Sequence, residues 1–106
     1  MNWKRGDEAR LAPGQFERIA KALADSRRFG MLECIATSDD CPYQRLCADF
    51  PVTKATISHH MKELIGAGLV EAEREGQFMV ARFRPDVVEA YAAELLRRLT
   101  RGRGRK

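Results

Sequence analysis

Up to Ile65 the apolar residues of this 106-residue chain recur at helical spacing. From Leu69 two short runs rich in strand formers take over, and after Pro85 the helical spacing returns. A mainly α fold with one small β-hairpin set between its last two helices satisfies all three stretches. Phe16, Ile19, Ala20 and Leu23 lie three and four residues apart and place a first helix over Gln15 to Ala24, behind the Pro13-Gly14 start signal. Asp25 or Ser26 caps a second helix with Phe29, Leu32, Cys34, Ile35 and Ala36 as its buried stripe and Gly30 as its weak point. Pro42 opens a short third helix through Tyr43, Leu46, Cys47 and Phe50, and Pro51 stops it. Thr53 is the N-cap of a fourth helix running to about Ile65, with Ile57, Met61, Leu64 and Ile65 on one face and Gly66 or Gly68 at its end. Leu69–Arg74 and Gln77–Phe83 form the hairpin, joined at Glu75 and Gly76. Pro85 and Asp86 open the last helix, whose wide apolar face is Val87, Val88, Tyr91, Ala92, Leu95, Leu96 and Leu99. Residues 1–12 are expected to be a flexible arm, 13–99 the folded domain, and 100–106 a disordered basic tail of arginine and glycine.

A domain this short buries a modest core of its own, which makes a second subunit plausible. No run approaches the roughly 20 apolar residues that span a bilayer. The N-terminus has early charges but no apolar segment before a cleavage site, so a cytoplasmic setting is expected, with no membrane partner. Three cysteines, Cys34, Cys41 and Cys47, are an odd number and argue against a disulfide framework. The formal charge is +4, yet residues 97–106 hold six of the 19 basic residues and no acid, leaving 13 basic against 15 acidic residues in positions 1–96. Any face for nucleic acid must therefore be local.

Two helices broken at Phe50, Pro51 and Val52, the second polar on one side and followed by a hairpin, match a winged helix-turn-helix. The second helix of the pair is the reader. Thr53, Lys54, Thr56, Ser58, His59 and Lys62 offer donors and acceptors for base edges and cations for phosphate, and no Asp or Glu occurs from Val52 to Lys62. On the wing, Arg74 and Gln77 flank the turn; Arg74 either contacts DNA or pairs with a carboxylate such as Glu75. His59 and His60 are adjacent and point apart, a poor chelating pair, so His59 is assigned to DNA and His60 to an internal hydrogen bond.

Asp25-Ser26-Arg27-Arg28, then Thr56-Ile57-Ser58-His59-His60-Met61-Lys62-Glu63-Leu64, then Ala67-Gly68-Leu69-Val70 and Arg74-Glu75-Gly76, resemble the ArsR/SmtB repressors over about Phe16 to Leu99. The resemblance implies a bacterial-type repressor that binds double-stranded operator DNA as a homodimer and is released by an inducer. It also implies a dimer interface from the first and last helices, here Phe16, Ile19, Leu23, Val88, Tyr91, Leu95 and Leu96. Members that sense metalloids carry a close cysteine cluster ahead of the reader; this chain has Cys41 and Cys47 there but lacks the central ligand, and Cys34 would have to complete a trigonal set. The histidine-containing zinc site of other members has no counterpart in Asp86 to Leu99.

No cofactor is expected, apart from a metalloid or soft metal at Cys41 and Cys47. The thiols have three readings: buried structural residues, a thiol-reactive switch, or that metalloid site. Cys41, beside Asp39 and Asp40, is expected to be the most exposed, with its pKa raised by those carboxylates. No catalytic residue set is present, so an enzyme is not expected. The alternative function is a protein-protein interaction module without sequence-specific DNA binding. The tail either adds sequence-independent DNA affinity or is a solubilising end.

Overall fold

A computed structural model of the chain describes residues 10–101; most of the expected arm and tail, residues 1–9 and 102–106, lies outside the described residues. Five helices and three strands follow in the order α1 (Gln15–Leu23), α2 (Ser26–Ala36), β1 (Cys41–Pro42), α3 (Tyr43–Asp49), α4 (Lys54–Gly66), β2 (Val70–Glu75), β3 (Phe78–Phe83) and α5 (Pro85–Leu99).

Local chemistry accounts for most of the boundaries. The Gln15 side chain accepts from the Ala12 amide and donates to the Ala67 carbonyl, at 2.7 and 2.9 Å, fastening the start of α1 to the loop after α4. Leu11 packs against the core, so the end of the expected arm belongs to the domain. The Asp25 carboxylate caps α2 by accepting the Arg28 amide at 2.9 Å, and the Thr53 hydroxyl caps α4 by accepting the Thr56 amide at 3.1 Å. Gly68 turns the chain out of α4 with φ +82°, where an added Cβ would lie 2.6 Å from Gln15 Nε2. Pro85 occupies the first turn of α5, where a missing amide hydrogen costs nothing.

Three expectations need correction. The buried face of α2 is Arg28, Met31, Leu32 and Ile35, while Phe29 and Ala36 are exposed and Cys34 is half-buried. The spacing of that face, steps of three, four and seven, is the helical one, and the expected stripe mixed two faces. Pro42 opens α3 as its N-cap rather than from within the first turn: with φ −66° and ψ 143° it sits in the two-residue strand β1, which pairs antiparallel with β3, Cys41 opposite Ala81 and Pro42 opposite Val80. The sheet therefore has three strands, ordered β1-β3-β2, and an edge position is where proline is tolerated. The hairpin turn is one residue later than expected, at Gly76 and Gln77, with Glu75 opposite Phe78 and Val70 opposite Phe83.

The core joins α1 to α4 and the sheet through Ile19, Ile35, Leu46, Ile57, Leu64 and Leu69, all buried. Ile19 is 0% exposed and so is not available to a partner subunit, contrary to its place in the expected interface. Phe16 and Tyr91 stack across α1 and α5 with ring centroids 5.0 Å apart. Farther along α5, Leu95, Leu96 and Leu99 are exposed.

Candidate nucleic-acid interface

The short link from Phe50 to Val52 holds α3 and α4 in a helix-turn-helix, its bend closed by the Val52 amide donating to the Phe50 carbonyl at 2.8 Å. Burial of Ile57, His60, Met61 and Leu64 fixes the roll of α4. Its opposite side then exposes Lys54, Ala55, Ser58, His59 and Lys62, a stripe without a carboxylate. Of the expected contacts, Thr53, Lys54, Ser58, His59 and Lys62 are exposed. Thr56 is half-buried, and its hydroxyl bonds the Thr53 hydroxyl at 3.0 Å, so this pair serves the helix start. Arg74 and Gln77 are exposed at the end of the hairpin.

The wing also carries Glu71, Glu73 and Glu75, which would repel a phosphate backbone if left alone. Their alternate spacing puts them on one face of β2, with Arg74 on the other. Arg82 binds Glu73, Glu75 and Asp40, and Arg84 binds Glu71 and Asp86. Glu75 is thus taken by Arg82, which removes the partner that Arg74 was expected to have if it did not face DNA. Mutual hydrogen bonding lowers the Asp86 pKa and raises that of Arg84. Lys54, Lys62 and Arg74 make no ion pair among the described residues. Sequence reasoning passed over Arg82 and Arg84, although three glutamates at every second position of a strand are a signal that cations must stand opposite them.

Beneath the stripe, Arg28 of α2 is buried. Its Nε donates to the Ala22 carbonyl at 2.9 Å, and its Nη1 to His60 Nδ1 at 3.3 Å. Burial, offset in part by Asp25 and reinforced by Arg28, pushes the His60 pKa below its ordinary value. The internal role read for His60 from the sequence is the one found.

The thiols are arranged differently from expectation. Cys41 is 0% exposed in the core, and Cys34 and Cys47 are half-buried. The Cys41 pKa is raised, first by burial and then by the neighbouring Cys34 thiol, rather than chiefly by Asp39 or Asp40. The Cys34 thiol also lies 3.9 Å from an Asp49 carboxylate oxygen. Cys34, not Cys47, is therefore the partner of Cys41, and the described residues contain no group of three histidine, cysteine or acidic ligands able to hold a metal ion.

Residues 25–72, from the cap of α2 into β2, match the family described as bacterial regulatory protein, arsR family. That match covers a little under half of the chain and makes it similar to the ArsR family over the helix-turn-helix. Its similarity to the arsenical resistance operon repressor of Staphylococcus aureus is 32% identity over 62 residues, 58% of this chain and 59% of that protein, so the match spans less than two thirds of the relative's length. Among solved structures, an ArsR-like transcriptional regulator from Rhodococcus sp. RHA1 superposes with a TM-score of 0.78 at 24% identity, over 87% of this chain and 86% of that one. A possible ArsR-family regulator of Mycobacterium bovis, solved as a homodimeric winged helix-turn-helix DNA-binding domain, superposes with a TM-score of 0.65 at 29% identity, over 81% and 82% of the two chains. The likeness in fold thus extends beyond the matched segment over most of the chain.

Proposed function

We propose that this chain is an ArsR-family transcriptional repressor, cytoplasmic and without enzymatic activity, that binds operator DNA as a homodimer. The observation that carries the reading is the exposed, carboxylate-free stripe of α4 together with Lys54, Lys62 and Arg74, which have no ion-pair partner among the described residues while the wing glutamates are held by Arg82 and Arg84. Two α4 helices related by a twofold axis enter successive major grooves. Ser58 and His59 face base edges, Lys54 and Lys62 face phosphates, and Arg74 and Gln77 follow the adjacent minor groove.

The twofold contact forms through Phe16, Leu23, Val88, Tyr91, Leu95, Leu96 and also Leu99. Release follows an inducer. Cys34, half-exposed and beside Cys41, supports a thiol-reactive species as that inducer more than a metalloid held by three cysteines.

The test is a binding selection from random duplexes followed by footprinting. A repressor selects a short inverted repeat, and its affinity falls steeply with salt as counterions are released. Equal affinity for the selected repeat and for random duplex refutes operator recognition and leaves a protein partner as the reader's ligand.

A further inference from the structure

Arg28 and His60 are the buried charged or polar side chains of the described core, and neither belongs to the exposed stripe of α4. Arg28 is anchored in α2, but its guanidinium works between two other helices, with one hydrogen bond to the last turn of α1 and one to α4. Both residues are part of the sequence motifs quoted above, and DNA contact explains neither. We propose that Arg28 and His60 are positioning residues that fix the reader helix against the dimerisation helix α1, and that this link holds only while His60 is neutral, so that acid loosens the reader. The functional half of this inference rests on the DNA-binding reading; the structural half does not.

Hydrogen-bond chemistry decides the protonation state. A guanidinium has donors only and stays charged, so the ring nitrogen facing it at 3.3 Å accepts with its lone pair. Nδ1 is therefore unprotonated and the ring proton is on Nε2. Protonating Nδ1 would turn the contact into two donors and two positive charges facing each other inside the core, where separation is the remaining way to relieve it.

The charges around the ring give the same sense. From α2, Arg28 and Arg27 oppose protonation, and so does His59 on α4 itself; Asp25, at the cap of α2, favours it. The last turn of α1 presents the Ala22 carbonyl to the same guanidinium. The foremost charged groups acting on the ring thus belong to α2, its cap and α4. A histidine whose folded pKa lies below its unfolded one leaves the geometry intact above the ordinary value of 6.5 and weakens it progressively as pH falls below that value. His59, one residue along with its ring centroid 5.7 Å away, is on the exposed stripe, so a movement of α4 that opens the buried contact shifts the proposed base-reading face as well.

Because His59 is a second imidazole, exposed on the proposed base-reading stripe, the experiment removes it first. In the full-length His59→Gln protein, affinity for a duplex selected by the wild type at pH 7.5 is measured by fluorescence anisotropy from pH 7.5 to 5.5. One unit of pKa difference between linked and displaced states corresponds to tenfold in affinity, so a weakening of roughly three- to tenfold is expected. Adding His60→Asn, whose amide oxygen takes the place of Nδ1 without titrating, flattens the profile to within about twofold, whereas His60→Ala weakens binding throughout the range. Equal pH slopes with and without the His60→Asn substitution overturn the inference. Nuclear magnetic resonance of the free wild-type protein gives a readout that needs no DNA. The His60 ring is expected to carry its proton on Nε2, and the amides of Ala22 and of α4 to shift with the His60 midpoint. Separate midpoints overturn the link. If the wild-type protein selects no duplex at pH 7.5, the functional reading fails, and the resonance midpoints still decide the link.

Discussion

Leu95, Leu96 and Leu99 are 37%, 64% and 70% exposed in the protomer, on the helix proposed to meet its twofold mate. Replacing Leu96 and Leu99 by alanine removes about three of four side-chain carbons at each site. Full burial of a leucine is worth ~1.5–3 kcal/mol, so scaling by present exposure gives a loss of ~1.5–3 kcal/mol for each protomer. A twofold interface uses the patch twice, and the dimer loses ~3–6 kcal/mol. That is a rise in the dimer Kd of roughly 10²- to 10⁴-fold. Both residues are solvent-facing in the protomer, so its own fold loses little, and circular dichroism should show unchanged helix content. Sedimentation equilibrium over nanomolar to micromolar protein reads the shift directly. A double variant that dimerises within about threefold of the wild type would show that this face is not the contact, because the calculated minimum effect is near a hundredfold.

Lys62→Ala should weaken binding to every duplex alike and reduce the slope of log affinity against log salt by about 0.9, whereas Ser58→Ala or His59→Ala should cost ~1–3 kcal/mol of discrimination at one base position. Arg82→Gln leaves Asp40, Glu73 and Glu75 without their shared cation; urea unfolding should report a loss of ~1 kcal/mol, and operator affinity should fall until Glu73 and Glu75 are also made glutamine. Gly68→Ala must place a Cβ at φ +82° and 2.6 Å from Gln15 Nε2, and should destabilise by ~1–3 kcal/mol in thermal unfolding; a neutral result would refute the strain.

The helices were legible where a cap and an apolar stripe agreed. Thr53 followed by Ile57, Met61 and Leu64 gave both the start and the roll of α4, and with the roll came the exposed stripe of Lys54, Ser58, His59 and Lys62. The second helix shows the limit. Phe29 reads as core from its chemistry, yet it is exposed because Arg28 takes the inward position, and an arginine goes inside only where the Ala22 carbonyl and His60 accept its protons. Those partners are 6 and 32 residues away in sequence. Strand β1 escaped for a similar reason: two residues carry no periodicity, and Cys41-Pro42 becomes a strand through pairing with Ala81 and Val80 some 40 positions later. The same pairing buries Cys41, which its neighbours Asp39 and Asp40 had made look like a surface loop residue.

Charge placement also decides what the basic C-terminal end of α5 does. Arg97 and Arg98 count towards the +4 total, but both bind Glu94, whose carboxyl they hold down to about 2, and Arg98 reaches Glu17 on α1 at 3.7 Å. Arg98 also lies over the Phe16 ring, 4.0 Å from its centroid. Its charge is therefore shared with carboxylates and an aromatic face between α1 and α5, and salt screens such charges beyond a Debye length of about 8–10 Å. Lys62 has no carboxylate partner among the described residues to leave for the proposed phosphate contact. Two single cation deletions that change the formal charge equally should consequently differ in kind. Arg98→Ala should weaken self-association and leave the salt slope of the assembled dimer on DNA unchanged, while Lys62→Ala should do the reverse. Measuring both slopes at protein concentrations well above the dimer Kd separates the two effects, and equal slopes for the two variants would mean that net charge, rather than its placement on α4, governs the encounter with DNA.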